Sequence, residues 1–523
     1  MKRVFFIALL ATALLLRVAS AEPSRAGKAP HVVLVVWDGM RPDFISESGT
    51  PRLWELAKAG ARFAHHHSVY PTSTEVNGAV LATGVYPNRS SILGNHEYRP
   101  AIAADRVVDT GEPEIFHRGD ELTGGHYIAV PTIAETAQSA GLRTAVTGSK
   151  SVAFFHHRNA EWTSAITPKT AFTIFAAAPM PAPLREETQR LLGRFLNETK
   201  DTSADRNVYA TRALTEILWR EEVANYSVLW LSDPDITQHA TAPGSDAALA
   251  AIRNSDRCLG IVLDTLTAKK LRDDTDVLVV SDHGFSTVKR EIDMTAELNA
   301  AGFSAMTKRT GEPKPGEIIV AGNSGTTLFY VTGHDAAVTA RLVEWLQHSD
   351  FAGVLFARDK FEGTFPLERA HLDTAFAPDI VMSARWDDEK SSNGTPGRSI
   401  VAAAGIVGKG SHHTLSPFDV HNIFVAAGPD FRRGVTDDLP TGNIDIVPTI
   451  FRLLGISSPE PLDGRVVTEM MAGSDAPASS KPETEIVEAT RALPDGQWSQ
   501  KLQLSRVGNS VYIDQGTGAF VPK

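Results

Sequence analysis

The sequence predicts a three-layer α/β/α sandwich around a central, mainly parallel sheet, with a cap subdomain inserted late in the chain. Three observations carry that expectation. Short β-branched runs alternate with helix-like segments from His31 onward, the pattern of βαβ units. The first run, His31 to Trp37, is continuously apolar rather than alternating, as in strands buried on both faces. Residues from about 300 to 400 break the rhythm with Gly-, Pro- and Asp-rich connections.

The elements follow in order. Lys2-Arg3, the apolar stretch Val4 to Leu16 and Ala19-Ser20-Ala21 have the layout of a signal peptide over residues 1–21, cleaved after Ala21. About 13 apolar residues fall short of the roughly 20 that cross a bilayer. No later stretch reads as a membrane span, so the expected location is periplasmic or extracellular. Residues 22–30 form a polar linker. His31-Val-Val-Leu-Val-Val-Trp37 is the first strand, and Thr50-Pro51 opens an amphipathic helix that closes near Gly60. Pro131 to Ala140 is helical and Arg143 to Thr147 a strand. Val208 to Glu222 is a helix followed by the strand Ser227 to Leu231. Ala247 to Thr267 is a long helix followed by the strand Asp276 to Val280. Ile444 to Leu454 holds a last core helix. The main domain is thus expected over 31–471, and 472–523 form a C-terminal tail with a hairpin from Trp498 to Asp514.

Composition narrows the function classes. Of 523 residues, 42% are hydrophobic and 22% charged, ordinary for a globular protein. The formal charge is −11 with no long basic run, which argues against a nucleic-acid scaffold, since that needs clustered Lys and Arg. A small anionic substrate stays open if a metal supplies local positive charge. One cysteine, Cys258, excludes an intramolecular disulfide or any CxxC motif. The sequence carries no signal of oligomeric state.

Three strand candidates end in acids: Trp37-Asp38-Gly39, Asp233-Pro234-Asp235 and Ser281-Asp282-His283-Gly284. Functional groups collect at the carboxyl ends of strands in open α/β sheets, although a lone Asp-Gly is more often a turn or cap. Asp235 and His239 lie four apart, on one face of a helix starting there. Gly410-Ser411-His412-His413 adds imidazoles. A mixed Asp/His set favours zinc over calcium or magnesium. Tyr70-Pro71-Thr72-Ser73-Thr74 places hydroxyls before a small-residue helix, where the N-terminus favours an alkoxide and an incoming phosphate. Periodicity alone leaves Thr72, Ser73 and Thr74 open.

At these residues the chain resembles the type I phosphodiesterase/nucleotide pyrophosphatase branch of the alkaline phosphatase superfamily, from Val32 to about Met471. The strand-Asp-Gly motif is Val-Val-Trp-Asp38-Gly-Met-Arg-Pro-Asp. The nucleophile segment Pro-Thr-x-Thr-Phe-Pro-Asn appears as Pro71-Thr-Ser-Thr74-Glu-Val-Asn77, and Gly94-Asn95 follows 21 residues after Thr74. Pro234-Asp235 to His239, Asp282-His283-Gly284 and Gly410-Ser411-His412 complete the series in the family's order.

The resemblance implies an alkaline phosphatase-like fold and a two-zinc hydrolase of phosphoric esters. It selects Thr74 as nucleophile and Asn95 as a phosphate-binding side chain. One zinc falls to Asp235, His239 and His412, the other to Asp38, Asp282, His283 and the Thr74 oxygen. The implied partner is a small phosphate ester, a diester first. A monoesterase on the same site is second and a non-catalytic binding protein third. Lys150 lies roughly where monoesterase relatives place a phosphate-binding lysine, but their Arg two positions later is Val152 here, so Lys150 reads first as a surface side chain. Glu75-Val76 replaces Phe-Pro, and a carboxylate cannot stack on a base. Gln238 and His413 each replace a glycine. His65-His66-His67, with no matching carboxylate, reads as a solvated loop or strand edge, and His421 is left outside the site.

Overall fold

The computed structural model describes residues 27–156, 173–174, 182–197, 199–403, 405–475 and 482–523. The expected signal peptide and most of the linker lie outside them. Among the described residues, no helix is long and apolar enough to cross a membrane.

The architecture is the expected mixed α/β sandwich. Nine strands form the central sheet: β1 (His31–Trp37), β2 (Ala61–His67), β3 (Thr144–Gly148), β4 (Thr173–Ile174), β5 (Tyr226–Leu231), β6 (Thr275–Val280), β7 (His421–Asn422), β8 (Phe424–Ala427) and β9 (Val435–Gly442). Their order is β7-β2-β8-β6-β1-β5-β3-β4, with β9 along the other side of β2. β1 runs parallel to both β5 and β6, and β3 parallel to β5, whereas β8 runs antiparallel to β6. Every residue of β1, β5 and β6 is buried, which explains the apolar runs Val32 to Trp37, Val228 to Leu231 and Val277 to Val280. Alternation sends Val32, Leu34 and Val36 to one core and Val33, Val35 and Trp37 to the other. Helices α1 (Pro51–Ala59) and α4 (Asp246–Ala268) cover the second core with Leu53, Leu56, Ile252 and Leu259. Helices α2 (Thr74–Thr83) and α5 (Ile446–Leu454) cover the first with Val76, Val80, Ile446 and Ile450.

Two local expectations change. The helix expected over Val208 to Glu222 starts at Ser203, where Thr202 Oγ1 accepts from the Asp205 N–H, and widens into a π-helix over Ala213–Leu218. β2 has no counterpart among the expected strands, and the solvated reading of its histidine triplet is overturned for two of the three. β2 lies inside the sheet, and His66 and His67 are buried while His65 is exposed. His66 bonds to Thr441 and Asn443, and His67 to the Thr441 carbonyl and Asp514. Those polar neighbours explain how two histidines of the triplet sit at buried strand positions.

The region from about 300 to 400 builds a second, six-stranded sheet with the helix Ala336–His348. The turn between its strands Ile318–Asn323 and Thr326–Val331 reaches the C-terminal edge of the central sheet. There the Gly325 N–H donates to the His412 carbonyl at 3.2 Å, and Thr326 Oγ1 to the His413 carbonyl. A Cβ on Gly325 would fall 2.3 Å from Thr414 Cγ2, so only glycine permits that approach. The C-terminal strands β10 (Glu483–Leu493), β11 (Gly496–Val507) and β12 (Ser510–Pro522) form an antiparallel meander. Trp498 and Leu502 pack on the second sheet, and the Tyr512 hydroxyl donates to Asp445 at 2.7 Å.

Asp276, buried in β6, accepts from the Asp430 N–H with Oδ1, while Oδ2 has no hydrogen-bond partner among the described residues. Burial and the neighbouring Asp430 carboxylate push it up to about 8. Between about pH 4 and 8 the folded chain therefore holds a proton that the unfolded chain has released, and stability falls as pH rises through that window. Asp276→Asn removes the titration. We expect its melting temperature, relative to the parent, to be about 1–3 °C more favourable at pH 8 than at pH 5. Equal differences at both pH values would remove Asp276 as the cause.

Candidate active site

The sheet delivers three carboxylates by one device: adjacent parallel strands end at the same level, and the residues just beyond them turn toward a common point. Asp38 follows β1. Asp235 follows β5 as the first residue of helix α3 (Asp235–Thr241), whose next turn carries His239. Asp282 and His283 follow β6. His412 arrives from the loop that the second sheet braces.

The donor atoms converge. Asp235 Oδ1 lies 3.3 Å from His239 Nε2, 3.5 Å from His412 Nε2 and 4.0 Å from His283 Nε2. His283 Nε2 lies 3.4 Å from Asp282 Oδ2 and 3.6 Å from Asp38 Oδ1. Each imidazole is oriented from behind. His239 Nδ1 faces the Gly410 carbonyl at 3.1 Å, His283 Nδ1 the Gly284 carbonyl at 2.8 Å and His412 Nδ1 the Thr72 carbonyl at 2.8 Å. A carbonyl only accepts, so each Nδ1 carries the proton and each Nε2 lone pair faces the cluster. Asp38 Oδ1, Asp235 Oδ1 and Asp282 Oδ2 are buried without a hydrogen-bond partner among the described residues. Unpartnered carboxylate oxygens and inward imidazole lone pairs make a donor set suited to divalent cations.

The structure brings together all seven residues expected as metal ligands, with one difference in grouping. Asp235, His239 and His412 form one trio whose donor atoms lie within 4.8 Å of one another. The second such trio is Asp38, Asp235 and His283, so Asp235 stands between the two groups, while Asp282 approaches through His283.

Thr74, fully buried, opens helix α2, and its Oγ1 lies 3.2 Å from His283 Nε2. Thr72 Oγ1 is committed to the Thr414 carbonyl and Ser73 Oγ makes no hydrogen bond. Of the three hydroxyls left open by the sequence, Thr74 is the one against the cluster. Asn95 Oδ1 accepts from the Glu75 N–H at 3.1 Å, which places this amide beside the helix N-terminus.

Lys150 corrects the sequence expectation. It is no surface lysine: its side chain is 19% exposed, and Nζ sits 3.0 Å from Asp38 Oδ2, 3.0 Å from Asp235 Oδ2 and 3.2 Å from Thr74 Oγ1. It follows β3, the next parallel strand along, so the sheet edge that gathers the acids gathers this ammonium too. The attraction of Asp235 and Asp38 outweighs burial and holds its pKa well above the usual lysine value. Burial pushes Glu75 up to about 8, and a Cβ on Gly111 would lie 2.6 Å from Glu75 Oε1. The side chain is therefore packed against the Gly111 loop, where burial favours its neutral form. His413 holds φ +83° and stacks on His412 with ring centroids 3.8 Å apart. Gln238 Nε2 donates to the Gly39 carbonyl at 2.9 Å, tying α3 to the turn after β1.

Sequence reasoning missed Trp230, whose Nε1–H donates to Asp38 Oδ2 at 2.9 Å. A buried tryptophan on an apolar strand gives no sign of that task.

Fold and cluster together define an alkaline phosphatase-like α/β protein with a candidate metal centre at the sheet's carboxyl edge. The chain belongs to the type I phosphodiesterase / nucleotide pyrophosphatase family, which it matches over residues 32–396. It is 23% identical over 286 residues to a bis(5'-adenosyl)-triphosphatase of Xenopus laevis, covering 54% of this chain and 53% of that one. It is 22% identical over 471 residues to ectonucleotide pyrophosphatase/phosphodiesterase family member 7 of Rattus norvegicus, covering 87% and 90%. The chain spans about half the length of the Xenopus protein, and 26% of a venom phosphodiesterase from Crotalus durissus collilineatus. Among solved structures, murine ectonucleotide pyrophosphatase/phosphodiesterase 5 superposes with a TM-score of 0.59 at 18% identity, over 84% of this chain and 100% of that one.

Trp230→Phe should keep the strand packed while removing the N–H that orients Asp38. Loss of such an outer partner weakens metal affinity about 10-fold or more. Titration in zinc buffers would measure the change, and parental affinity would show that Asp38 needs no such support.

Proposed function

We propose that this chain is an exported hydrolase of phosphoric diesters that works through a phospho-threonine on Thr74, in a site for two zinc ions. The observation that carries the reading is the position of Thr74 Oγ1, at a helix N-terminus and 3.2 Å from both His283 Nε2 and Lys150 Nζ. One ion belongs to Asp235, His239 and His412, the other to Asp38, Asp282, His283 and Thr74. When bound, zinc supplies Lewis-acid chemistry, lowering hydroxyl pKa values and offsetting charge on phosphoryl and leaving oxygens.

The chain's own groups do the rest. Thr74 loses its hydroxyl proton to solvent, and the Lys150 ammonium and the α2 N-terminus favour the resulting alkoxide. Its Oγ attacks phosphorus in line, forming the Thr74 Oγ–P bond while the bond to the leaving alcohol oxygen breaks. The Thr74 backbone N–H and the NH2 end of Asn95 hold non-bridging oxygens. Water then attacks phosphorus from the vacated side, giving back the Thr74 hydroxyl and releasing a phosphate monoester.

Relatives named as phosphodiesterases and a bis(5'-adenosyl)-triphosphatase support a diester or phosphoanhydride substrate. Glu75, packed against Gly111, offers no aromatic face for a base, so the leaving group need not be a nucleoside. The second sheet, which touches His412 and His413, acts as the cap. The charged, apolar and small-residue start of the chain directs export.

A monoesterase reading is favoured by one observation, the Lys150 ammonium at the cluster's centre, which suits the extra charge of a phosphate dianion. Comparing bis-p-nitrophenyl phosphate with p-nitrophenyl phosphate decides between them. We expect a higher kcat/KM for the diester; a reversed order would establish the monoesterase.

Thr74→Ala should lower kcat by at least about 1,000-fold while leaving zinc content at the parental level; retained turnover would remove Thr74 from its role. Chelation should silence the enzyme, and zinc should restore it better than magnesium, as the imidazole-rich donor set requires. Full activity after verified metal removal would refute the scheme.

A further inference from the structure

A second cluster of histidines and a carboxylate lies apart from the catalytic one. β2 and β7 pair antiparallel with His67 opposite His421, and directly opposed residues hold their side chains together. Their rings meet edge to face, 4.7 Å between centroids. The third member comes from the C-terminal meander. Between β11 and β12, Gln503 pairs with Gln515 and Leu504 with Ile513, so Asp514 is an extra residue in a β-bulge. A bulge re-aims the side chain it carries. Here Asp514 Oδ1 lies 2.8 Å from His67 Nε2 and 4.0 Å from His421 Nε2.

We propose that His67, His421 and Asp514 form a further divalent-metal site, suited to zinc, that fastens the C-terminal meander to the central sheet. A plain His67–Asp514 hydrogen bond leaves one fact without cause. His421 Nε2 is buried with no hydrogen-bond partner among the described residues, yet it sits beside the same carboxylate oxygen. Two ligands each about 2.1 Å from one tetrahedral ion lie about 3.4 Å apart, between the two distances found. His67 Nδ1 faces the Thr441 carbonyl at 2.8 Å, which leaves its Nε2 lone pair for the ion. Ser505 Oγ donates to both Asp514 oxygens at 2.9 and 2.7 Å, the outer support that metal-bound carboxylates have. Two imidazoles and one carboxylate favour zinc over calcium or magnesium. A cavity of about 300 Å³, lined by His421, Asp514, His65 and Gln503, gives an entry path and room for water as fourth ligand. The catalytic residues contribute nothing to this site, and Asp514 lies beyond the stretch matched to the family.

The test is metal content of the full-length protein after zinc loading and removal of free metal. His421→Ala and Asp514→Asn should each lose one molar equivalent relative to the parent while retaining hydrolase activity. A double variant, His239→Ala with His412→Ala, should lose catalytic-site zinc and keep the equivalent held here. Parental metal content in the first two variants would overturn the proposal whether or not the catalytic site holds zinc. If those variants fail to fold, anomalous diffraction from parental crystals loaded with cobalt(II) decides. A peak bonded to His67 Nε2, His421 Nε2 and Asp514 supports the site, and peaks confined to the catalytic cluster refute it.

Discussion

Three carboxylates forced together out of water are the constraint on which the rest of the molecule depends. Asp38, Asp235 and Asp282 are almost fully buried, and each presents an oxygen without a hydrogen-bond partner among the described residues. Isolated charges in such a place cost several kcal/mol each. Their repulsion, with burial, holds the Asp38 carboxyl well above its usual range despite Lys150. The parallel sheet supplies the rigidity that keeps them there, since β1, β5 and β6 are packed on both faces and cannot yield without opening two cores. Cations relieve the strain, and the backbone carbonyls behind His239, His283 and His412 have already turned three lone pairs toward them.

Much of this was legible in the sequence, for identifiable reasons. A strand covered on both sides is mostly apolar, so β1, β5 and β6 announce themselves, and the acid that follows each run marks the edge where the candidate site lies. Spacing alone put Asp235 and His239 on one helical face. The choice of Thr74 needed the family resemblance, because Thr72, Ser73 and Thr74 differ in what they face rather than in any local pattern.

What stayed hidden depends on partners far away in the chain. β2 carries His66 and His67 at buried positions, which looks like loop until Thr441, Asn443 and Asp514 meet them from more than 370 residues on. Lys150 read as surface because lysine mostly is, and the attraction that draws it inward comes from Asp38 and Asp235 on other strands. Trp230 gave no clue because its indole serves the core and Asp38 at once.

Gly325 gives the contact between the two sheets a particular meaning. Its N–H holds the carbonyl of a residue that is itself part of the cluster, His412. Any tilt of the outer sheet therefore bears directly on the loop that carries the imidazole, through Gly325 and through the neighbouring Thr326. Loops elsewhere on that sheet can diversify to suit new molecules while this one hinge point stays fixed, separating the evolution of selectivity from that of reactivity.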